Sequence, residues 1–216
     1  MSVETVTVAD AVAAELRRRL LAGEYAGGQE LRDTELTAEF GAARPTIRAA
    51  VQMLVADGLL ERDRGQSARV RSFTAADAVD LYRLRGPVEV AAVRLVLRNG
   101  PSLDGVQAAL DDFTALAGQV SWDKVADADI AFHRAVLAAA GSARLLRTFN
   151  EAGAELRLLI AQLRPAYRDA GQIAHEHAVL LAALRAGDEQ AAVQAWNEHM
   201  NTAEHFFLGQ IAGAAG

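Results

Sequence analysis

The sequence contains no cysteine. That absence excludes a disulfide framework, a thiolate nucleophile and any zinc site built on sulfur, and it suits a reducing compartment. A metal here has only histidine, aspartate and glutamate to draw on. Also missing is an apolar run near the roughly 18 residues of a membrane span, and the N-terminus lacks the basic-then-apolar order of a signal peptide. These absences lead to the expectation of a cytoplasmic protein with no membrane partner. No internal repeat or low-complexity tract is present. The formal net charge of −6 argues against coating nucleic acid over the whole surface, so a nucleic-acid contact has to come from local asymmetry. What the chain does have is apolar substance: 51% of its 216 residues are hydrophobic, enough for two small cores or one large one.

The first third mixes helical and strand signals. Residues 9 to 22 place Val12, Leu16 and Leu20 at helical spacing, closed by Gly23. A Gly-containing connection follows, then a short helix in TELTAEFG with Thr34 as expected N-cap and Gly41 as terminator. Pro45 opens a third helix with Ile47, Val51 and Leu54 inward, ending at Asp57-Gly58. Leu59 to Arg62, a turn over Asp63 to Gln66, and a return through Val70 read as a hairpin. Three helices and a hairpin predict a winged helix-turn-helix over residues 1–72.

Between Gly41 and Ser72 six arginines (44, 48, 62, 64, 69 and 71) face three acids (57, 61 and 63). The excess sits on the third helix and the hairpin. A helix-turn-helix lays the N-terminal part of its recognition helix in the major groove, and arginine pairs bidentately with guanine. Arg44, Thr46 and Arg48 point away from the inward stripe and are the candidates for base edges. Arg62, Arg64 and Gln66 would meet the backbone or minor groove of double-stranded operator DNA. The alternative is an ordinary solvated cationic face; the element order and the placement of charge favour docking.

Residues 73–75 are too short for a floppy linker, and from there strand signals vanish. Ala/Leu-rich helical periodicity runs on through 76–216, with breaks at Gly100-Pro101, Gly118, Gly141, near Pro165 and at Gly187. About six helices are expected, so the chain as a whole is mainly α, a winged helix-turn-helix followed by an all-α bundle.

The bundle carries an oddity. Asp129 and His133, one turn apart, share a helix face with Val125, Phe132 and Val136, and an unpaired polar group in such a core costs on the order of 2–7 kcal/mol. His177 falls on the stripe of Ile173, Leu180, Leu181 and Leu184, and His199 on that of Ala192, Trp196, Ala203 and Phe206, whereas His175 and His205 fall off these stripes. If the last two helices fold back about Gly187, His177 lies about ten residues before the turn and His199 about eleven after it, so the two should be level. One carboxylate and three imidazoles form an N/O set that suits zinc, nickel, cobalt, iron or manganese, with open positions for water or a ligand. For a single inward histidine the ordinary reading is a hydrogen-bonded core residue; four inward residues together point to a divalent transition metal, zinc or nickel first.

The residues also carry a resemblance. LRDTELTAEFGAARPTIRAAVQMLVADGLLERDRGQSARV resembles the N-terminal domain of GntR-type bacterial transcription regulators, with their Leu-Ala-x-x-Phe-Gly helix, Ser-Arg-x-x-Val-Arg-Glu-Ala-Leu recognition helix and Gly-x-Gly wing. The resemblance implies that Arg44 and Arg48 hold the two DNA-contacting arginine positions, with Thr46 beside them and Gly65 at the wing tip. Ala43, Ala49 and Ser67 depart from that pattern, where the family has Ser, Glu and Gly, which bears on operator sequence. The rest of the chain resembles the all-helical FCD effector domain of the FadR subfamily. Metal-binding members carry Asp-x-x-x-His, a Glu-His pair and a late His, matched here by Asp129/His133, Glu176-His177 and His199. The FCD start is matched by Arg85-Gly86-Pro87-Val88-Glu89; the resemblance implies that Arg85 reaches a ligand carboxylate, and a salt bridge to Glu89 is the competing role. The segment AGSARLL (140–146) departs from the family's Gly-Asn and bears on pocket shape.

The expectation is a metabolite-responsive transcription regulator, with a repressor relieved by ligand as the usual arrangement and an activator as the alternative. A small organic acid held at the metal, with Arg85, Arg134 and Asn150 as candidates for orienting it, would bias how a homodimer fits two half-sites. The dimer is implied by the resemblance alone. A metal-dependent enzyme acting on a small acid and a metal-ion sensor are the alternatives; no further inward acid is placed as an obvious general base.

Overall fold

The computed structural model describes residues 7–117, 122–162 and 170–214. The chain divides into two compact units, Met1–Ser72 and Phe73–Gly216. In the first, α1 (Val8–Leu21) starts in a capping box between Thr7 and Asp10 and packs on α3. Next come β1 (Glu30–Leu31), α2 (Asp33–Phe40), α3 (Arg44–Ala56), β2 (Leu60–Glu61) and β3 (Ala68–Val70). Ile47, Val51 and Leu54 are fully buried, as are Leu16, Leu20, Leu36 and Leu60 on the elements that α3 packs against, each such side chain contributing about 1.5–3 kcal/mol.

Three expectations are corrected in or beside this unit. Thr34 does not cap α2: the helix begins at Asp33 after Arg32, which puts Thr34 inside the first turn, and no side chain caps it. The glycine-containing connection contains a strand, since β1 pairs antiparallel with β3 (Glu30 opposite Arg69) while β2 pairs with the other edge (Leu60 opposite Val70), giving a sheet of order β1-β3-β2. Residues 73–75 are not a linker throughout: Thr74 caps α4 (Ala75–Asn99) in a capping box with Asp77. Gly41 ends α2 with φ of 59°, a left-handed conformation that glycine takes without penalty.

The second unit contains α4, α5 (Asp104–Thr114), α6 (Trp122–Ala139), α7 (Ala143–Gln162), α8 (Ala170–Ala186) and α9 (Glu189–Ala214). Among the described residues these match the roughly six helices expected, with breaks at Gly100, Gly141 and Gly187; the breaks placed at Gly118 and near Pro165 lie outside the described residues. Helix α4 runs through Pro87, although proline removes one ladder hydrogen bond. It packs along α9, α6 and α7, while α5 lies on α6 and α8. On α9, Met200 and Phe207 are buried where Ala203 and Phe206 were expected to be; the latter two are only partly covered. One stretch of α6 serves three apolar clusters: Val125 packs with Phe113 and Ile173, Ala126 with Tyr82 and Phe207, and Ile130 with Phe132, Leu181 and Trp196. Asp129 and His133 project from that junction.

Candidate metal centre and cavity

Asp129, His133, His177 and His199 converge, each offering one ligand atom, with these atoms all within 4.8 Å of one another. Nε2 of His177 lies 3.0 Å from Nε2 of His133 and 3.1 Å from Oδ1 of Asp129, and His133 Nε2 lies 3.9 Å from the same oxygen. The rings of His133 and His199 stack at 5.3 Å, and that of His177 meets His199 at 4.9 Å. Phe113 and Phe132 wedge the His177 ring from two sides, at 5.0 and 4.8 Å between centroids. His133 and His177 are fully buried and Asp129 nearly so.

The partners on the far side of each ring decide what this cluster can hold. Nδ1–H of His177 donates to the Ile173 carbonyl at 2.8 Å, so in the neutral ring Nε2 carries a lone pair. Nδ1 of His133 lies 2.6 Å from Oε2 of Glu89. The contact is too bent for a well-aligned hydrogen bond, but an anion at that range holds the ring proton on Nδ1 and leaves Nε2 as an acceptor. Two nitrogen lone pairs and a carboxylate oxygen then face each other without a donor between them. Such a set repels itself unless a cation completes it, so the residues fit a divalent metal.

Glu89 is itself held by Arg85 through Nε and by Nε1–H of Trp196 at 2.9 Å. Arg85 reaches on to Asp129 Oδ2 at 3.4 Å, and its guanidinium lies over Tyr82 and Phe149. The salt bridge to Glu89 is therefore made, and the same arginine also lines the cavity described below. Burial acts against both carboxylates, yet Arg85 and the imidazoles hold Glu89 and Asp129 well below the usual carboxylate range. Burial, followed by nearby positive groups, lowers His133 and pushes His199 further down from 6.5. The His133 and His199 rings are thus neutral and ready to ligate near neutral pH. Unfolded histidines take up protons near 6.5 while these do not, so metal-free protein is expected to lose stability as pH falls below about 6.5. Thermal melts of chelated protein at pH 8 and pH 5.5 check this; equal midpoints contradict it.

Beside the cluster lies a cavity of about 260 Å³ into which Asp129, His199 and Arg85 open. Tyr82, Val125, Ile160, Phe206 and Phe207 form an apolar wall, and Gln172, Glu176 and Thr202 a polar one. Burial raises the Glu176 carboxyl above its usual value. Missed from sequence were the contact of Glu89 with His133, Trp196 as a donor to Glu89, and Gln172 and Thr202 in the polar wall. Their signals were helical spacing: Trp196 and Thr202 lie three residues either side of His199, and Gln172 four before Glu176. Two expected ligand residues are corrected. Arg134 and Asn150 are exposed and absent from the cavity lining. Arg134 follows inward His133 directly, so helical geometry turns it away.

In the first unit, Arg44 and Arg48 are exposed at the start of α3 with Thr46 half-buried between them, and Arg64, Gly65 and Gln66 are exposed at the wing turn, where Gly65 has φ of 83°. Arg62 departs from expectation: only 17% of its side chain is exposed, and it bonds Asp33 Oδ2 at 3.0 Å and the Gln66 carbonyl at 3.0 Å. It braces the wing from within, because the Asp33 carboxylate satisfies it.

A winged unit with cationic helix and wing, followed by a helical bundle that encloses a cavity, is the architecture of a two-part DNA-binding regulator. Residues 8–70 match the family described as bacterial regulatory proteins, gntR family, and residues 80–202 match the FCD domain. A probable D-xylose utilization operon transcriptional repressor of Paenarthrobacter nicotinovorans is 29% identical over 90% of this chain and 86% of its own. The gluconate operon transcriptional repressor of Bacillus licheniformis is 23% identical over 88% and 81%. The crystal structure of a GntR-type regulator from Rhodococcus sp. RHA1 superposes with a TM-score of 0.80 at 30% identity, covering 93% of this chain and 97% of that one. The chain belongs to the GntR family of bacterial transcription regulators, with an FCD domain; it is a regulator and not an enzyme. Among the described residues no helix is long and apolar enough to cross a membrane.

Proposed function

We propose that this regulator binds operator DNA as a homodimer in the cytoplasm and that a small organic acid, held at a divalent metal in the second unit, changes its operator affinity. The observation that carries the reading is the meeting of His133 Nε2, His177 Nε2 and Asp129 Oδ1 as acceptors without a donor, at the edge of a cavity with room beyond the ion. Asp129, His133, His177 and His199 would hold the metal, and zinc or nickel suits three nitrogens and one oxygen. Bound there, the ion supplies a Lewis-acidic position for a carboxylate. Arg85 adds positive charge on the same side, and Gln172, Glu176 and Thr202 meet the ligand's polar groups. The cavity is small against the roughly 300–1,000 Å³ of drug-sized sites, which favours a compact acid. A relative named for a gluconate operon is consistent with a sugar-derived acid.

A filter-binding titration with candidate acids tests the reading: metal-loaded protein should change its operator affinity with one acid and not with unrelated ones. A change on chelation alone, with every acid inert, would make the ion itself the signal. At the DNA end, Arg44, Thr46 and Arg48 would face base edges, and Arg64, Gly65 and Gln66 the backbone or minor groove. Arg44→Ala and Arg48→Ala are each expected to weaken operator binding by about 1–3 kcal/mol, roughly 5- to 150-fold, without changing the melting temperature. Retained affinity in the double variant contradicts the docking.

A further inference from the structure

The Asp33 carboxylate joins three elements. It stands in the first turn of α2, and its Oδ2 accepts from Arg48 Nε of the recognition helix at 3.2 Å and from Arg62 Nη2 beside the wing at 3.0 Å. Its Oδ1 is shut off from solvent with no hydrogen-bond partner among the described residues. Burial works against the charge, but the two arginines keep the carboxyl below its usual value. Arg62 continues the chain to the wing through Nε–H to the Gln66 carbonyl. Arg48 ends differently: 68% of its side chain is exposed, and among the described residues only Nε is engaged.

An arginine held at Nε by a carboxylate has its guanidinium plane fixed, and its two terminal nitrogens remain as a fork for guanine or a phosphate. A free arginine on an exposed helix face loses side-chain entropy of about 2 kcal/mol when it docks; one already buttressed loses less. We propose that Asp33 is a positioning residue for operator recognition, presenting the Arg48 fork to DNA and locking the wing through Arg62. This rests on the docking of α3 proposed above. It runs against the plain electrostatic expectation, in which an anion beside a DNA-facing helix only repels phosphates.

The two expectations differ in sign. With the full-length protein, a duplex selected from a random pool by the wild type and a scrambled duplex of equal length serve as probes. Asp33→Asn should weaken the selected duplex about tenfold, the loss of one charge-assisted contact, while leaving the scrambled duplex unchanged or bound more tightly. Asp33→Glu should restore part of the discrimination. In an Arg48→Ala background, Asp33→Asn should cost markedly less. Equal weakening on both duplexes with a lowered melting temperature would make Asp33 merely structural, and equal tightening would make it merely repulsive; either overturns the proposal, as does an undiminished effect in the Arg48→Ala background. Failure of the docking reading is separable, since Arg48→Ala alone would then leave the selected duplex bound as before.

Discussion

Replacing His177 by alanine is expected to abolish the thermal stabilisation that zinc or nickel gives the wild type. Its ring is the hinge of the cluster: Nε2 lies near 3 Å from both His133 and Asp129, and Nδ1–H is fixed by the Ile173 carbonyl. A ligand bound to the folded state alone stabilises by about 2.7 kcal/mol at a hundred times its dissociation constant, which for a protein of this size raises the midpoint by roughly 5–11 °C. Loss of an outer-shell partner already costs 10–100-fold in metal affinity, so loss of a direct ligand should exceed that and erase the shift at the same metal concentration. Melts with and without metal, on wild type and His177→Ala, measure it. His175→Ala serves as control, since His175 is exposed. An undiminished shift in His177→Ala would show that the ion binds elsewhere.

The second large effect is expected at a residue that touches no ion. Glu89 is completely buried between Arg85, Trp196 Nε1–H and His133 Nδ1. Glu89→Ala leaves the Arg85 guanidinium, itself 3% exposed, with the longer contact to Asp129 as its one carboxylate partner among the described residues. Breaking a buried ion pair from one side costs about 3–5 kcal/mol, a fall of roughly 6–20 °C in the midpoint of the second unit. Glu89→Gln keeps the shape and one acceptor, and should lose less stability. It should still weaken metal binding, because the carboxylate that holds the His133 proton on Nδ1 is gone. Calorimetry of the three proteins in chelator gives the first comparison and metal titration the second. A Glu89→Ala midpoint within a degree or two of wild type would contradict the network as a stabilising element.

What the sequence made readable was whatever recurs at short range. Helical stripes located Ile47, Val51 and Leu54 in one core, and the level placement of His177 and His199 about the turn at Gly187 followed from counting residues along two helices. Short pairings were hidden. Strand β1 has two residues, too few to show alternation, and exists because β3 lies beside it. The salt link from Arg62 to Asp33 spans 29 positions, so an arginine that looked available for DNA proved to be occupied. Thr74 and Asp77 did carry a capping signal in the sequence, but at a junction already read as a linker. Arg134 and Asn150 were chosen for chemistry without regard to helix face, and the helix turned both outward.

The central claim is that a divalent cation completes the acceptor cluster in the second unit. Elemental analysis of protein purified without chelator measures this directly. About one transition metal ion per chain is expected, zinc or nickel foremost, lost on exhaustive chelation and regained when the ion is offered. Protein that carries no transition metal as purified, and takes up none when zinc or nickel is supplied, would contradict it.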